Sequence, residues 1–187
     1  MKKHLIFPAL ALAALVAAAS LYAARDTQSG SRSRKQESER RMERIKKREA
    51  RTAEYTKFMD SVILSHEYIF QPSSFQLQPA GRTQQIVNPN FEIVVGENYY
   101  DIYIPYVKGV TPPYRLAILN DITSYVNGYT AIQTDDGWTV RFSTSLYGPD
   151  TYTFELNIYS STGSATLDVS NPFENNVSYW GSISGRY

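Results

Sequence analysis

The sequence predicts a mainly β protein, an antiparallel meander of eight or nine strands that can close into a small barrel, preceded by an N-terminal α-helix. Three observations carry the prediction. After Ser65, β-branched and aromatic residues alternate with polar ones. Short clusters of Gly, Pro, Asn, Asp and Ser punctuate that alternation at hairpin-like intervals. Before Ser65 the chain has no Gly or Pro after Gly30, and from Tyr55 to Ile63 its apolar residues recur at three- and four-residue spacing. This number of strands is enough to close a barrel without exposed edges, and two packed sheets are the alternative arrangement.

The first element is Met1-Lys2-Lys3-His4 followed by an apolar run from Leu5 to Ala19, with no charge before Arg25. That order is the pattern of a secretory signal peptide, expected over residues 1–24, with small residues for cleavage at Ala17 to Ser20 and at Ala23-Ala24. The run is shorter than the roughly 20 residues a membrane-spanning helix needs; a retained N-terminal anchor is the competing expectation. The chain has no cysteine, which excludes both disulfides and the lipidated thiol of a bacterial lipoprotein. An exported protein of the periplasm or cell envelope is therefore expected, held together by burial alone.

Residues 25–64 form the second element, a basic helical segment. Between Arg32 and Arg51 ten Lys or Arg stand against four Glu, a net charge of +6, whereas Thr52 to Tyr187 carries six basic and thirteen acidic residues, a net of −7. The overall +1 hides this division. Glu37 with Arg41, and Glu43 with Lys47, stand four apart in the order that supports a helix, which is expected to begin near Ser33 or Ser38. Such a segment serves either as a solvated tether or as a weak contact to anionic membrane surfaces. Nucleic acid does not fit an exported chain whose remainder is acidic. Farther on, Tyr55, Phe58, Met59, Val62 and Ile63 make one apolar stripe that must pack against something.

The third element, residues 65–187, is the β domain. Strands are expected at Glu67 to Gln71, Phe75 to Gln78, Asn90 to Val95, Tyr99 to Ile104 and Tyr125 to Gln133. Four more have clear inner rows: Trp138, Val140, Phe142 and Thr144; Tyr152, Phe154, Leu156 and Ile158; Ala165, Leu167 and Val169; and Val177, Tyr179, Gly181 and Ile183. Hairpin turns fall at Thr134 to Trp138, Tyr147 to Thr151 and Ser160 to Ser164, with a longer loop at Ser170 to Asn176. In the tyrosine-dense stretch from Asn98 to Gly109, Tyr100, Ile102, Ile104 and Tyr106 share the dry face, while Tyr99, Asp101, Tyr103 and Pro105 share the wetter one. Pro105 has no N–H, so it should end its strand or stand where that donor has no partner.

"YIF" at Tyr68 to Phe70, "YIPY" at Tyr103 to Tyr106, "GW" at Gly137-Trp138 and "TGSATLDVSNPFENNVSYWGSI" at Thr162 to Ile183 are similar to the exported Bacteroidota envelope proteins grouped as domain-of-unknown-function family 4251. The resemblance covers His66 to Tyr187. It implies a lipocalin-like barrel after an N-terminal helix and brings no established activity or catalytic residues. The chain departs from the family's pattern at Lys108 before Gly109 and at Asn120-Asp121, where a glycine pair is expected.

Catalytic chemistry has few candidates. Beyond the leader there is one histidine, His66, at the junction of helix and first strand, and no nucleophile-elbow pattern accompanies it. Asp135-Asp136 before Gly137 reads as hairpin-turn chemistry, not a metal site. No cofactor motif is present. Two non-enzymatic readings result. One is a structural or interaction module with a filled barrel, presenting its basic helix or the outer aromatics Tyr99, Tyr103 and Trp180 to a partner. The other is a binding module that holds a small hydrophobic or aromatic ligand, lined by Tyr100, Ile102, Tyr106, Phe142 and Phe154.

Overall fold

The structure, a computed structural model, describes residues 7–79, 81–109, 111–123, 128–145 and 151–186, with side chains from residue 35 onward. The expected signal peptide falls on residues 1–6, outside the described residues, and on a stretch whose side chains are not described. One helix, α1 (Phe7–Leu64), occupies the N-terminal part. It runs through Ser33 and Ser38, where a start was expected, without a break. Ser38 shows why: its hydroxyl donates to the Lys35 carbonyl at 2.7 Å, the back-bonding of a helix interior, not the forward bond of a cap.

The chain divides into two compact units, Met1–Ala50 and Arg51–Tyr187. Within the first, Lys47 pairs with Glu43 at 3.0 Å on the solvated surface, an exposed pair that contributes about 0.3–0.5 kcal/mol. No helix among the described residues is long and apolar enough to cross a membrane.

The second unit contains the last turns of α1 and ten strands: β1 (Tyr68–Leu77), β2 (Gln84–Gln85), β3 (Glu92–Gly96), β4 (Tyr99–Lys108), β5 (Arg115–Thr123), β6 (Thr130–Gln133), β7 (Gly137–Ser145), β8 (Thr151–Tyr159), β9 (Ser164–Ser170) and β10 (Val177–Gly185). They form one antiparallel sheet in the order β5-β4-β3-β1-β10-β9-β8-β7-β6, with β2 added to β1. The last strand lies beside the first, Tyr68 opposite Gly185, so the sheet is organised around a pairing that no local turn dictates.

The inner rows follow the alternation with one exception: Val140, Phe142, Phe154, Leu167, Val169 and Tyr179 are buried in one cluster with Trp138, Tyr152, Leu156, Ile158, Ala165, Val177 and Ile183, and Thr144 is also buried, but Gly181 is only half-buried. The sheet curls around them. Tyr100 of β4 stacks on Phe142 of β7 at 4.2 Å although these strands are second and eighth in the order. Closure into a barrel is a separate matter, because no hydrogen-bonded ladder joins β5 to β6 among the described residues.

Three departures from the expected strands have physical reasons. The segments expected at Glu67 and at Phe75 are one strand, carried through a bulge between Pro72 and Ser74, which re-aims the chain without ending the pairing. Strand β5 was not expected, because its residues are apolar on both faces: Leu119 points inward and is fully buried, while Leu116, Ile118 and Ile122 on the other row are exposed. That pattern hides the period of two. Asn120-Asp121 lie inside this strand. Lastly, the strand expected from Tyr125 is described only as Thr130–Gln133, residues 124–127 lying outside the described residues.

The apolar stripe of α1 docks on the sheet through Met59, Val62 and Ile63, all buried, with Tyr55 and Phe58 at its margin. A polar tie reinforces it. One carboxylate oxygen of Asp60 accepts from both the Trp138 indole N–H and the Ser160 hydroxyl, each at 2.8 Å. Next to this tie, Gly163 has a positive φ of 70° in the β8–β9 turn, a left-handed backbone that favours glycine; a Cβ there would come within 2.4 Å of the Tyr55 hydroxyl, and that side chain would have to shift.

Candidate functional site

Strand β4 is the centre of the site because it outruns its neighbour. β3 pairs with it only from Gly96 opposite Tyr99 to Glu92 opposite Tyr103, whereas β5 stays paired as far as Lys108 opposite Arg115. From Ile104 onward one edge of β4 therefore has no strand beside it among the described residues. Alternate residues along that edge are served by other means. The Tyr179 hydroxyl donates to the Pro105 carbonyl at 2.6 Å, and the Asn175 side-chain amide donates to the Val107 carbonyl at 3.0 Å and to the Gly109 carbonyl at 2.5 Å. The Gly109 N–H donates to the Glu174 carboxylate at 2.9 Å. Pro105 stands mid-strand, and since a residue's N–H and C=O leave an antiparallel strand on the same side, its missing donor faces this unpaired edge, where nothing requires it.

All five residues expected to line a ligand are brought together. Tyr100, Ile102, Tyr106, Phe142 and Phe154 are at most 1% exposed. Three of their rings meet one another, Tyr100 stacking on Phe142 and Phe142 lying parallel to Phe154 at 4.9 Å, while Tyr106 meets Tyr152, outside the set, edge-on at 5.6 Å. Such contacts contribute beyond area burial, about 0.5–1.5 kcal/mol per pair. The Tyr106 hydroxyl donates to the Asn175 carbonyl, which ties the β9–β10 loop over this end of the interior.

At the other end of the same row lies a second group of phenols. The hydroxyls of Tyr68 and Tyr129 are 3.3 Å apart, and the ring of His66, whose φ of 55° is left-handed, covers Tyr129 at 4.3 Å. Tyr100 reaches the same region, and its hydroxyl is the one buried side-chain polar atom without a hydrogen-bond partner among the described residues. Burial raises the pKa of Tyr68, Tyr100, Tyr106 and Tyr179 above the usual phenol range, with neighbouring tyrosines adding to it. Tyr129 is raised by burial and partly restored by its bond to Tyr68. These phenols stay protonated at neutral pH, so the cluster offers hydrogen-bond donors, not bases.

The outer residues are more dispersed. Phe91 packs on Tyr103 at 5.0 Å, the Arg186 guanidinium lies over the ring of Tyr99 at 5.5 Å, and Trp180 is half-buried. Asp135 and Asp136 form the exposed tip of the β6–β7 hairpin, closed by the Thr134 N–H bond to the Gly137 carbonyl at 2.8 Å. Sequence reasoning did not pick out Asp60, Tyr129, Asn175 or the hydroxyl of Tyr179. Asn175 and Val107 are separated by 68 residues, and no local pattern marks such a contact.

The family profile described as "Domain of unknown function (DUF4251)" matches residues 50–183. Among solved structures, the chain is similar to the crystal structure of a DUF4251 family protein from Bacteroides eggerthii DSM 20697. The two share 12% identity and a TM-score of 0.55 over 70% of this chain and 87% of that one, a likeness of fold. No curated protein matches the chain.

Proposed function

The chain belongs to the DUF4251 family, and from that premise and the packing of its interior we propose that it is an exported, non-catalytic interaction module of the bacterial cell envelope, built on a filled lipocalin-like barrel. The observation that supports this reading is the mutual stacking of Tyr100, Phe142 and Phe154: the rings occupy one another's surroundings, as in a close-packed core. On this reading Arg32 to Arg51 is the membrane-facing part, each basic residue near an anionic surface contributing on the order of 1 kcal/mol. Deleting it should abolish low-salt co-sedimentation with anionic vesicles; retained binding would remove the membrane role.

A second reading, a small hydrophobic ligand held in the barrel, draws support from the Tyr100 hydroxyl, which has no partner among the described residues, because a buried donor without an acceptor is costly and a ligand oxygen would relieve it. Native mass spectrometry of the purified protein, before and after denaturation, separates the two. On the filled-barrel reading no small molecule co-purifies, and Tyr106→Ala costs roughly 3–5 kcal/mol, as a large aromatic truncated in a packed core does. A molecule that co-purifies and is lost in a folded Tyr106→Ala variant would establish the ligand instead.

A further inference from the structure

The same early stop of β3 that exposes one edge of β4 opens a groove on the outside of the sheet. It encloses about 630 Å³ and is walled on one side by Gln84, Ile86 and Val87 and on the other by Pro105, Leu116 and Ile118. Phe75 and Phe91 contribute aromatic surface. The size is within the range of small-molecule sites. Three of its apolar residues are strongly exposed: Val87 at 90%, Leu116 at 66% and Ile118 at 45%. Contiguous exposed apolar surface of this kind marks a binding site more often than an accident of composition.

We propose that this groove binds an uncharged, lipid-like molecule, a hydrocarbon chain carrying a neutral polar group. Its chemistry selects this occupant. Among the described residues, none that lines the groove is ionisable, so a bound charge would lose its hydration with nothing there to replace it. An extended peptide is read chiefly through main-chain hydrogen bonds, and the β4 backbone here has few to give. Pro105 has no N–H, its carbonyl is taken by Tyr179, and the Val107 carbonyl is taken by Asn175. On the opposite wall the Ile86 N–H is already bonded to the Ser73 carbonyl at 2.9 Å. What remains is burial of apolar area, with the amides of Gln84 and Gln85 able to meet a hydroxyl or ester at the rim.

The proposal rests on the filled-interior reading, which leaves the outer face as the place for an apolar ligand. The test uses the full chain and the uncharged fluorophore N-phenyl-1-naphthylamine, with displacement by a neutral monoacylglycerol. Saturable binding is expected, weakened at least ~10-fold by Leu116→Lys and by Ile118→Lys, and unchanged by Ile132→Lys, an equally exposed residue on β6. Circular dichroism confirms that each variant folds; should either lysine variant not fold, Leu116→Gln replaces it. Absence of binding by the folded wild-type chain, or binding indifferent to the groove variants, overturns the proposal. Binding that ignores the groove variants but is lost in a folded Phe154→Leu variant moves the ligand inside, and overturns the filled-interior reading as well. Concentration-dependent dimerisation abolished by Leu116→Lys, with no probe uptake, shows instead that a second copy covers the groove.

Discussion

Two tyrosine hydroxyls, one on β10 and one on β4, differ in what they contribute. That of Tyr179 is fully buried and donates to the Pro105 carbonyl at 2.6 Å; that of Tyr100 is buried and has no partner among the described residues. Removing a made bond and leaving a buried carbonyl unsatisfied costs about 1–3 kcal/mol, whereas removing an orphan donor is neutral or stabilising. Tyr179→Phe should therefore lower the urea midpoint, and Tyr100→Phe should leave it unchanged or raise it. Equal losses in the two variants would show that the Tyr100 hydroxyl has an acceptor after all. The distinction was not legible in the sequence, where both are alternate residues of aromatic strands; it depends on which carbonyl lies opposite, set for Tyr179 by an element 74 positions away.

Among the elements, β8 shows how far a period of two can be trusted. Its burial alternates without exception from Thr151 to Tyr159, Tyr152, Phe154, Leu156 and Ile158 facing inward. On the outer face Arg141 of β7 pairs with Glu155 at 2.6 Å and Thr139 donates to Asn157 at 2.7 Å, cross-strand contacts that hold the register. Leu156→Asp should cost more than ~3 kcal/mol, by burying an unpaired charge, while Thr153→Asp stays within about 1 kcal/mol; thermal melts of the two variants check this. The edge strand β5 is the opposite case. Its outer row is apolar where it walls a groove, so the signal that identifies β8 is missing there.

At the scale of the whole molecule, a cysteine-free β unit relies on a core in which tyrosine is prominent, and this has a consequence at alkaline pH. Burial raises the phenol pKa of Tyr68, Tyr100, Tyr106 and Tyr179 above the ordinary value of 10.0. A raised folded-state value means that above pH 10 the unfolded chain has lost protons the folded chain still holds, so stability falls as pH rises. The contribution is fully present below pH 10. Unfolding above it should therefore coincide with phenolate absorbance in one cooperative transition followed by circular dichroism and ultraviolet absorption. Phenolate formation at pH 10 by all tyrosines, with the fold intact, would contradict the burial.

The sequence by itself determined the class of the protein, the inner rows of β4 and β7 to β10, and the apolar stripe of α1, because alternation and helical periodicity are local consequences of where side chains point. It also determined the opposite charges of the two segments. Only the tertiary structure decided the partnership of β1 with β10, the early stop of β3, the tie from Asp60 to Trp138 and Ser160, and the service of the bare β4 edge by Tyr179 and Asn175. Each of these joins residues far apart in the chain. Such contacts are selected by the geometry of a sheet curling on itself, and no window of neighbouring residues contains it.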